Sequence, residues 1–467
     1  MLLSVQWLSD KILPWLRPPT QSPFRTVFYG IILGISLSLS SSSAISYYRT
    51  RREEEETLQF EPRPIELRSD EVLSGVTGLI GNTPLIRINS LSNALGVEIY
   101  GKAEFLNPGG SVKDRVALRM IEDAEAQGLL RPHTGSRIFE GTVGSTGISI
   151  ATIARARGYD ATIIMPDDVA QEKVKALLAL GAEVERVRPA SIVDKKQYVN
   201  LAKERAISFG KLLPSSKPHL LPTPSSSVVV STISDETVDQ DVESEIPDYR
   251  PYKPRGFFAD QFENRSNHDA HFEGTGPEIW RQVNGHLHAF VSGAGTGGTI
   301  AGIGRFVKSK NEAVQVVLAD PEGSGLYNKV KYGVMFDYKE SEGKKRRHQV
   351  DTVVEGIGIN RITNNIDLAL PIIDEAYRIT DAEAVSMSRY LVKHDGLFLG
   401  SSSACNLVAS VKLAQKMGWK EGQVIVTILC DSGTRHYSKF WNDEYLQNVG
   451  IPNDITIIEE LLAQITE

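Results

Sequence analysis

The chain has few cysteines and no surplus of positive charge. Only Cys405 and Cys430 occur among 467 residues, which is too few for a disulfide framework and is typical of a reducing compartment. Neither cysteine has the paired spacing of a metal site. The formal net charge of −7 leaves no basic face for a nucleic-acid backbone. These absences exclude a disulfide-stapled domain and argue against a metal site and against a nucleic-acid partner.

Long hydrophobic runs are also scarce, and the prominent one lies near the N-terminus. Residues 26–48 form a run of 23 residues without a charged side chain, and about 20 residues suffice to span a bilayer. We predict a basic targeting segment over 1–25, a transmembrane anchor over 26–48 and a linker over 49–75. A moderately apolar span between basic flanks favours a single-pass protein of the mitochondrial outer membrane. Its orientation stays open, because Arg25 and Arg49 place positive charge on both sides.

From residue 76 onward, strand-like and helix-like patterns alternate, which predicts an α/β domain with a parallel sheet and crossover helices over 76–460. The extended DATIIMP (160–166), for example, precedes the helical QEKVKALLALG (171–181). Residues 212–255 break the pattern, because they are rich in Pro, Ser, Thr and acidic residues. Such a composition buries little apolar area, so we interpret this stretch as a low-complexity surface insertion that is mostly disordered.

A lysine stands where a helix pattern begins. The segment SVKDR (111–115) directly follows the turn NPGG (107–110) and precedes the helical VALRMIEDAEA. Lys113 would lie in the first helical turn, where the positive end of the helix dipole favours a neutral amine. A neutral lysine is the nucleophile of Schiff-base chemistry. The alternative is that Ser111 and Asp114 form a capping box while Lys113 is merely solvated.

A glycine-rich loop predicts a phosphate site. Residues 292–299 (SGAGTGGT), here called the phosphate cup, follow the strand-like HAFV and precede a helical pattern. Backbone amides at a helix N-terminus bind anions, and the hydroxyls of Thr296 and Thr299 add donors. The loop also fits G-x-G-x-x-G, with Asp320 as a ribose-binding acid, so a dinucleotide-binding dehydrogenase is an alternative. No hydride-transfer constellation follows the loop, which lowers the weight of that alternative.

A second loop has the same character. Residues 141–147 (GTVGSTG), here called the carboxylate cup, lie between a strand-like and a helical stretch. Their amides and hydroxyls suit a carboxylate at a helix N-terminus. One lysine, one phosphate cup and one carboxylate cup together describe a site for an amino acid joined to pyridoxal phosphate.

With these motifs the chain resembles the cysteine synthase family, within the tryptophan-synthase-β fold type of pyridoxal-phosphate enzymes. The resemblance covers about 76–450 outside the insertion, and the nearest likeness is a fungal mitochondrial branch that carries a membrane anchor. Besides SVKDR and the two cups, it rests on IGNTPL (80–85), QFEN (261–264), TGPEIW (275–280), EGIG (355–358), GSSSA (400–404) and DSG (431–433). It implies a fold-type II enzyme of two α/β subdomains with twisted, mostly parallel sheets, and a homodimer.

The resemblance also implies a role for each motif. Lys113 would hold pyridoxal phosphate as a Schiff base and move the Cα proton of the substrate. The other cofactor contacts would come from Ser145, Gly295, Thr296, Gly297, Gly298, Thr299 and Ser432, with Ser432 at the pyridine nitrogen. The substrate carboxylate would be bound by Thr142, Thr146 and Gln261. The implied reaction is a β-replacement in which hydrosulfide displaces acetate from O-acetylserine to give L-cysteine.

The chain departs from the family pattern at three places. Val143 and Ser145 stand where serine and asparagine are usual, Arg361 follows EGIG among residues that differ from the usual ones, and Ala404 replaces a glycine. Arg361 would either bring positive charge to the substrate mouth or point to solvent. These changes leave two alternatives open: a β-eliminating lyase such as a cysteine desulfhydrase, and a catalytically quiet, membrane-tethered family member.

Overall fold

The computed structural model of the protein describes residues 72–209, 219–220, 229–232, 253–337 and 352–464. The predicted targeting segment and transmembrane anchor lie outside these residues, as does the linker up to residue 71. Within the described ranges, no helix is both long and apolar enough to cross a bilayer.

The described residues form twelve strands and fourteen α-helices. The strands are β1 (Leu85–Arg87), β2 (Glu98–Ala103), β3 (Arg137–Gly141), β4 (Asp160–Pro166), β5 (Glu183–Val187), β6 (His219–Leu220), β7 (Val229–Thr232), β8 (Arg255–Phe258), β9 (Ala289–Gly293), β10 (Gln315–Pro321), β11 (Glu375–Ile379) and β12 (Val424–Leu429). The helices are α1 (Asn89–Leu95), α2 (Lys113–Ala126), α3 (Ser145–Ala156), α4 (Gln171–Ala179), α5 (Tyr198–Ser208), α6 (Ser266–Ala270), α7 (Gly276–Gln282), α8 (Gly298–Lys310), α9 (Leu326–Tyr332), α10 (Asn364–Ala369), α11 (Asp381–Asp395), α12 (Ser401–Met417), α13 (Asp443–Asn448) and α14 (Thr456–Ala463). Between α6 and α7, residues His271–Thr275 form a π-helical turn.

The first subdomain is built on a six-stranded sheet in the order β1-β2-β12-β9-β10-β11. All its strands are parallel except β1, which pairs antiparallel with β2. Strand β10, which lies between β9 and β11, carries the apolar run Val316–Ala319, all of it fully buried, as expected for a parallel sheet covered on both faces. Its side chains join two apolar clusters, one shared with α8 and the other with α12.

The second subdomain is built on a sheet in the order β5-β4-β3-β8-β7-β6, in which the first four strands are parallel and the last two are antiparallel. Buried side chains of α2 and α3, among them Val116, Met120 and Ile153, pack with Ile163 of β4 in one core. The predicted α/β fold is confirmed, and both sheets are mixed with parallel strands in the majority.

The stretch 212–255 is not wholly outside the core. Strand β7 (Val229–Thr232) pairs antiparallel with β8, and the Val230 side chain is fully buried in the core of the second subdomain. The interpretation that this stretch buries little apolar area is therefore wrong for β7. The β-branched residues of VVST favour a strand once the edge of β8 is available for pairing. The other residues of the stretch, apart from β6 and the segment from Lys253, lie outside the described ranges.

The topology brings the predicted motifs to one end of both sheets. In the first sheet, SVKDR, DSG and the phosphate cup follow the carboxyl ends of β2, β12 and β9, which are direct neighbours. In the second sheet, the carboxylate cup and QFEN follow β3 and β8, which are also neighbours. Ligands of open α/β sheets bind at the carboxyl ends of the strands, so the fold places one site here.

Candidate active site

A cavity of about 540 Å³ receives residues from both subdomains. Nine of the eleven predicted site residues line it: Lys113, Thr142, Ser145, Thr146, Gln261, Gly295, Thr296, Gly297 and Thr299. The other two are next in sequence to lining residues. Gly298, in the phosphate cup, begins α8, and Ser432 follows Asp431.

Lys113 is the first residue of α2 and faces this cavity. Burial lowers the pKa of its amine, against the opposing effects of Cys430 and Asp431, so the neutral form becomes more accessible. The capping box is absent, because Asp114 accepts hydrogen bonds from Gly109 N at 2.5 Å and Ser149 Oγ at 2.5 Å instead. Asp114 thus ties the turn before Lys113 to α3, and the capping box of the alternative reading is wrong.

Two side chains outside the predicted site, those of Asn267 and His271, hold the threonine hydroxyls of the phosphate cup in place. Asn267 Nδ2 donates to Thr296 Oγ1 at 2.8 Å, which leaves the hydroxyl proton of Thr296 free to donate. His271 Nε2 lies 3.1 Å from Thr299 Oγ1, and burial holds the pKa of His271 well below its usual value. Their only sequence signal is position, since both lie between the QFEN and TGPEIW segments.

The shape of the phosphate cup fits a phosphate group. Gly297 has φ 93°, which side-chain-bearing residues rarely adopt, and it turns the chain into the N-terminus of α8. A Cβ at Gly295 would lie 2.4 Å from Gly356 O, so no side chain could occupy this position. The backbone is therefore bare where it meets the cavity, and the helix dipole adds attraction for an anion. Together with Lys113, this cradle fits pyridoxal phosphate.

The carboxylate cup is preorganised by hydrogen bonds within the cup and to Gln261. Thr142 Oγ1 accepts from Gly144 N at 3.3 Å, and Thr146 Oγ1 donates to Gln261 Oε1 at 2.5 Å. Gln261 Nε2 in turn donates to Gly141 O at 3.3 Å. Ser145 begins α3, so the amides of the first helical turn are available to a carboxylate.

Ser432 is held in a defined hydrogen-bonding state. Its Oγ accepts from Thr434 N at 3.3 Å and from Thr434 Oγ1 at 3.1 Å, which leaves its own proton to donate. The nearby Cys430 lines the cavity, but burial raises the pKa of its thiol to about 11. Cys430 is therefore protonated at neutral pH and a poor nucleophile.

Asp320 does not have the position of a ribose-binding acid. Its Oδ2 accepts from Tyr327 N at 2.7 Å, the side chain is fully buried, and Asp320 is absent from the cavity wall. The carboxylate thus holds the start of α9 rather than a ligand. This geometry removes the main support for a dinucleotide-binding dehydrogenase.

Two of the three departures from the family pattern lie at the cavity wall, and one lies in the core. Arg361 pairs with Glu263 at 2.7 Å and stacks on Phe262, with 4.7 Å between its guanidinium carbon and the ring centroid. Its charge at the cavity wall is therefore neutralised. Ala404 is fully buried in the core and does not line the cavity. Val143 and Ser145 also line the cavity.

The fold, the lysine and the two cups define a pyridoxal-phosphate enzyme, and the family model described as "Pyridoxal-phosphate dependent enzyme" matches residues 76–431. A solved structure, that of O-ureido-L-serine synthase, superposes with a TM-score of 0.61 at 28% identity and covers 80% of this chain and 96% of its own.

Curated relatives are more similar in sequence. "Cysteine synthase 2" of Schizosaccharomyces pombe is 52% identical over 394 residues, which is 84% of this chain and 90% of that protein. The protein of Saccharomyces cerevisiae named "Putative mitochondrial cysteine synthase" is 48% identical over 383 residues, 82% of this chain and 85% of its own length. The chain belongs to the cysteine synthase family. The resemblance read from the motifs and the cofactor it implied are both confirmed.

Proposed function

We propose that the protein makes L-cysteine and acetate from O-acetylserine and hydrosulfide. The observation that carries this proposal is the convergence of a buried lysine, a phosphate cup and a carboxylate cup on one cavity. The family assignment and the named relatives support the same activity.

Each side chain would contribute to binding or orientation. Lys113 Nζ would hold pyridoxal phosphate, and the phosphate cup with Thr296 and Thr299 would bind its phosphate. Ser432 Oγ, with its proton free, would donate to the pyridine nitrogen. Bound there, the cofactor supplies an electron sink for the negative charge that develops at the substrate Cα.

The carboxylate cup would fix the amino acid so that its Cα lies over Lys113. Thr142, Thr146 and Gln261 bind the carboxylate, and the N-terminus of α3 stabilises its charge. Lys113 Nζ takes the Cα proton, acetate leaves from Cβ, hydrosulfide adds to Cβ, and Lys113 Nζ returns the proton to Cα. The neutral amine that this step requires is favoured by the burial of Lys113.

A spectral titration tests the proposal. The absorbance of the bound cofactor is followed while O-acetylserine and then sulfide are added, and cysteine is quantified. We expect a spectral change with O-acetylserine that sulfide reverses as cysteine forms. A spectrum that ignores O-acetylserine, while the protein converts cysteine to pyruvate and sulfide, would instead establish a β-eliminating lyase. A protein that does not bind the cofactor would be the catalytically quiet family member.

The anchor over 26–48 and the homodimer are also part of this proposal. The uncharged run of 23 residues supports a single-pass anchor, and the printed name of the Saccharomyces cerevisiae relative supports a mitochondrial location. Removal of 1–48 should release the protein from mitochondrial membranes in carbonate extraction. Light scattering of the released protein should give twice the chain mass. A membrane-bound truncation or a monomeric mass would refute the respective part.

A further inference from the structure

Helix α4 joins the two subdomains at the mouth of the cavity. Glu172 and Lys173 lie in its first turn, in the second subdomain. Glu172 Oε1 accepts from Ser438 N at 3.0 Å and from Ser438 Oγ at 2.9 Å, and Lys173 Nζ forms an ion pair with Glu355. Ser438 and Glu355 belong to segments of the first subdomain. We call these two contacts the mouth bridge.

The Lys173 side chain passes directly over the carboxylate cup. It lines the cavity, and only 5% of the side chain is exposed. A Cβ at Gly144 would lie 2.6 Å from Lys173 Cδ, so the glycine leaves room for the lysine stem. The stem and the backbone of the cup therefore constrain each other.

Glu355, on the other side of the mouth, is attached to the phosphate cup. The next residue, Gly356, has its carbonyl oxygen against Gly295, and Gly358 N donates to Ala294 O at 2.9 Å. Burial would raise the pKa of Glu355, but Lys173 and His436 outweigh it and hold the pKa below its usual value. Glu355 is thus ionised and paired.

We propose that Lys173 is a positioning residue that sets the distance between the carboxylate cup and the phosphate cup through its ion pair with Glu355. The inference rests on the proposed function, since it concerns how the amino-acid substrate is held relative to the cofactor. Neither residue needs to touch the reacting atoms. The mouth bridge acts by holding the two cups, each of which belongs to a different subdomain, in register.

Lys173→Met tests the inference, because it keeps a long apolar side chain and removes the charge. In the full-length holoenzyme we expect KM for O-acetylserine to rise about tenfold, with kcat changed less than about threefold, because the ion pair would support substrate binding in the ground state and the transition state alike. Glu355→Gln should have the same effect, and the double variant should be no worse than either single one. Lys173→Arg should restore most of the wild-type KM.

Hydrogen exchange provides a readout that does not depend on turnover. Amides of α4 and of residues 355–358 should exchange faster in Lys173→Met, whereas the absorbance of the bound cofactor stays unchanged. Lys175→Met on the exposed face of α4 is the matched control and should change neither KM nor exchange. The inference would be overturned if Lys173→Met changed neither KM nor the exchange rates. It would also be overturned if all variants, including the control Lys175→Met, lost the cofactor to the same extent.

The two proposals fail separately. If the wild type does not convert O-acetylserine, the proposed function is refuted. The mouth bridge is then judged by the exchange rates and by the Kd for L-cysteine, measured from the cofactor spectrum. A Kd and exchange rates that Lys173→Met leaves unchanged would refute the mouth bridge even in an active synthase.

Discussion

Lys113 and Lys102 show how two buried lysines come to differ in function. Burial lowers the pKa of both amines, but Lys102 Nζ is paired with Glu278 at 2.7 Å. Lys113 forms no ion pair within the described part of the chain, and it faces the cavity. A buried amine without a carboxylate partner is the one that can exist in its neutral form and act as a nucleophile.

Lys113→Ala should therefore abolish the visible absorbance of the covalently bound cofactor. The fold should persist, because the alanine shortens a side chain that faces a cavity rather than the core. Absorbance spectra and circular dichroism of the purified variant check both statements. Lys175→Ala, at an exposed position, should keep the spectrum. An unchanged spectrum in Lys113→Ala would refute the assignment of the lysine.

The buried carboxyl group of Asp320 should make the stability of the protein depend on pH. Burial raises the pKa of Asp320 from 3.8 to about 7, so the folded state binds its proton more tightly than the unfolded state. The resulting stabilisation is fully present below about pH 4 and is lost as the pH rises through 7. It amounts to about 4 kcal/mol at most, since one pKa unit corresponds to about 1.4 kcal/mol.

Asp320→Asn removes this titration, because an amide stays neutral and can still accept from Tyr327 N. In urea unfolding, the stability of the wild type relative to the variant should fall between pH 4 and pH 8. A constant difference for Asp320→Asn over this range would show that Asp320 does not titrate on folding.

At the scale of elements, a buried ionic network joins α2 to α7. Arg115, from the SVKDR segment, donates to Glu104 at 2.7 Å and 2.8 Å and to Glu278, from TGPEIW, at 2.7 Å through each of two nitrogens. Glu278 also accepts from Asn82 N at 2.9 Å. Motifs far apart in sequence are therefore partners in one network that anchors the helix bearing Lys113.

Glu278→Gln should destabilise the protein by roughly 3–5 kcal/mol, because it leaves the buried charges of Arg115 and Lys102 without their shared partner. Glu273→Gln is the matched control. Glu273 pairs with Arg119 at 2.5 Å, but 57% of its side chain is exposed, against 15% for Glu278. An exposed pair contributes at most about 1 kcal/mol. Equal shifts of the urea midpoint in the two variants would contradict this difference.

The elements that could be predicted from sequence are those whose signal is local. DATIIMP forms β4, and the glycine-rich loops lie at the N-termini of α3 and α8 as their composition indicates. The contact of His271 with Thr299 could not be predicted, because it joins residues 28 positions apart across a π-helical turn. The predicted capping box is wrong for a related reason, since Asp114 instead accepts hydrogen bonds from a turn and from a second helix.

At the scale of the whole molecule, the chain runs from the first subdomain into the second and then returns to the first. Strands β6 and β7, from the stretch 212–255, belong to the sheet of the second subdomain. Deletion of all of 212–255 removes β7, together with the buried Val230 and its pairing with β8. The interpretation of this stretch as a surface insertion implies that its deletion would leave cofactor binding intact. The structure instead indicates a loss of stability, because the core around Phe257 would be opened to water.

A narrower replacement separates the strand from the rest of the stretch. Thr232 pairs with Arg255 in the antiparallel ladder, so two residues suffice to connect β7 to β8. Asn-Gly in place of residues 233–254 suits such a hairpin turn. We expect this variant to retain the cofactor absorbance. Its free energy of unfolding should lie within about 1 kcal/mol of the wild-type value, the scale of a changed surface loop.

The variant that lacks 212–255, compared in the same urea titration, should unfold at a clearly lower midpoint. Equal midpoints for the two variants would mean that β7 contributes nothing to the core, and a loss of cofactor in the Asn-Gly variant would mean that residues 233–254 support the site.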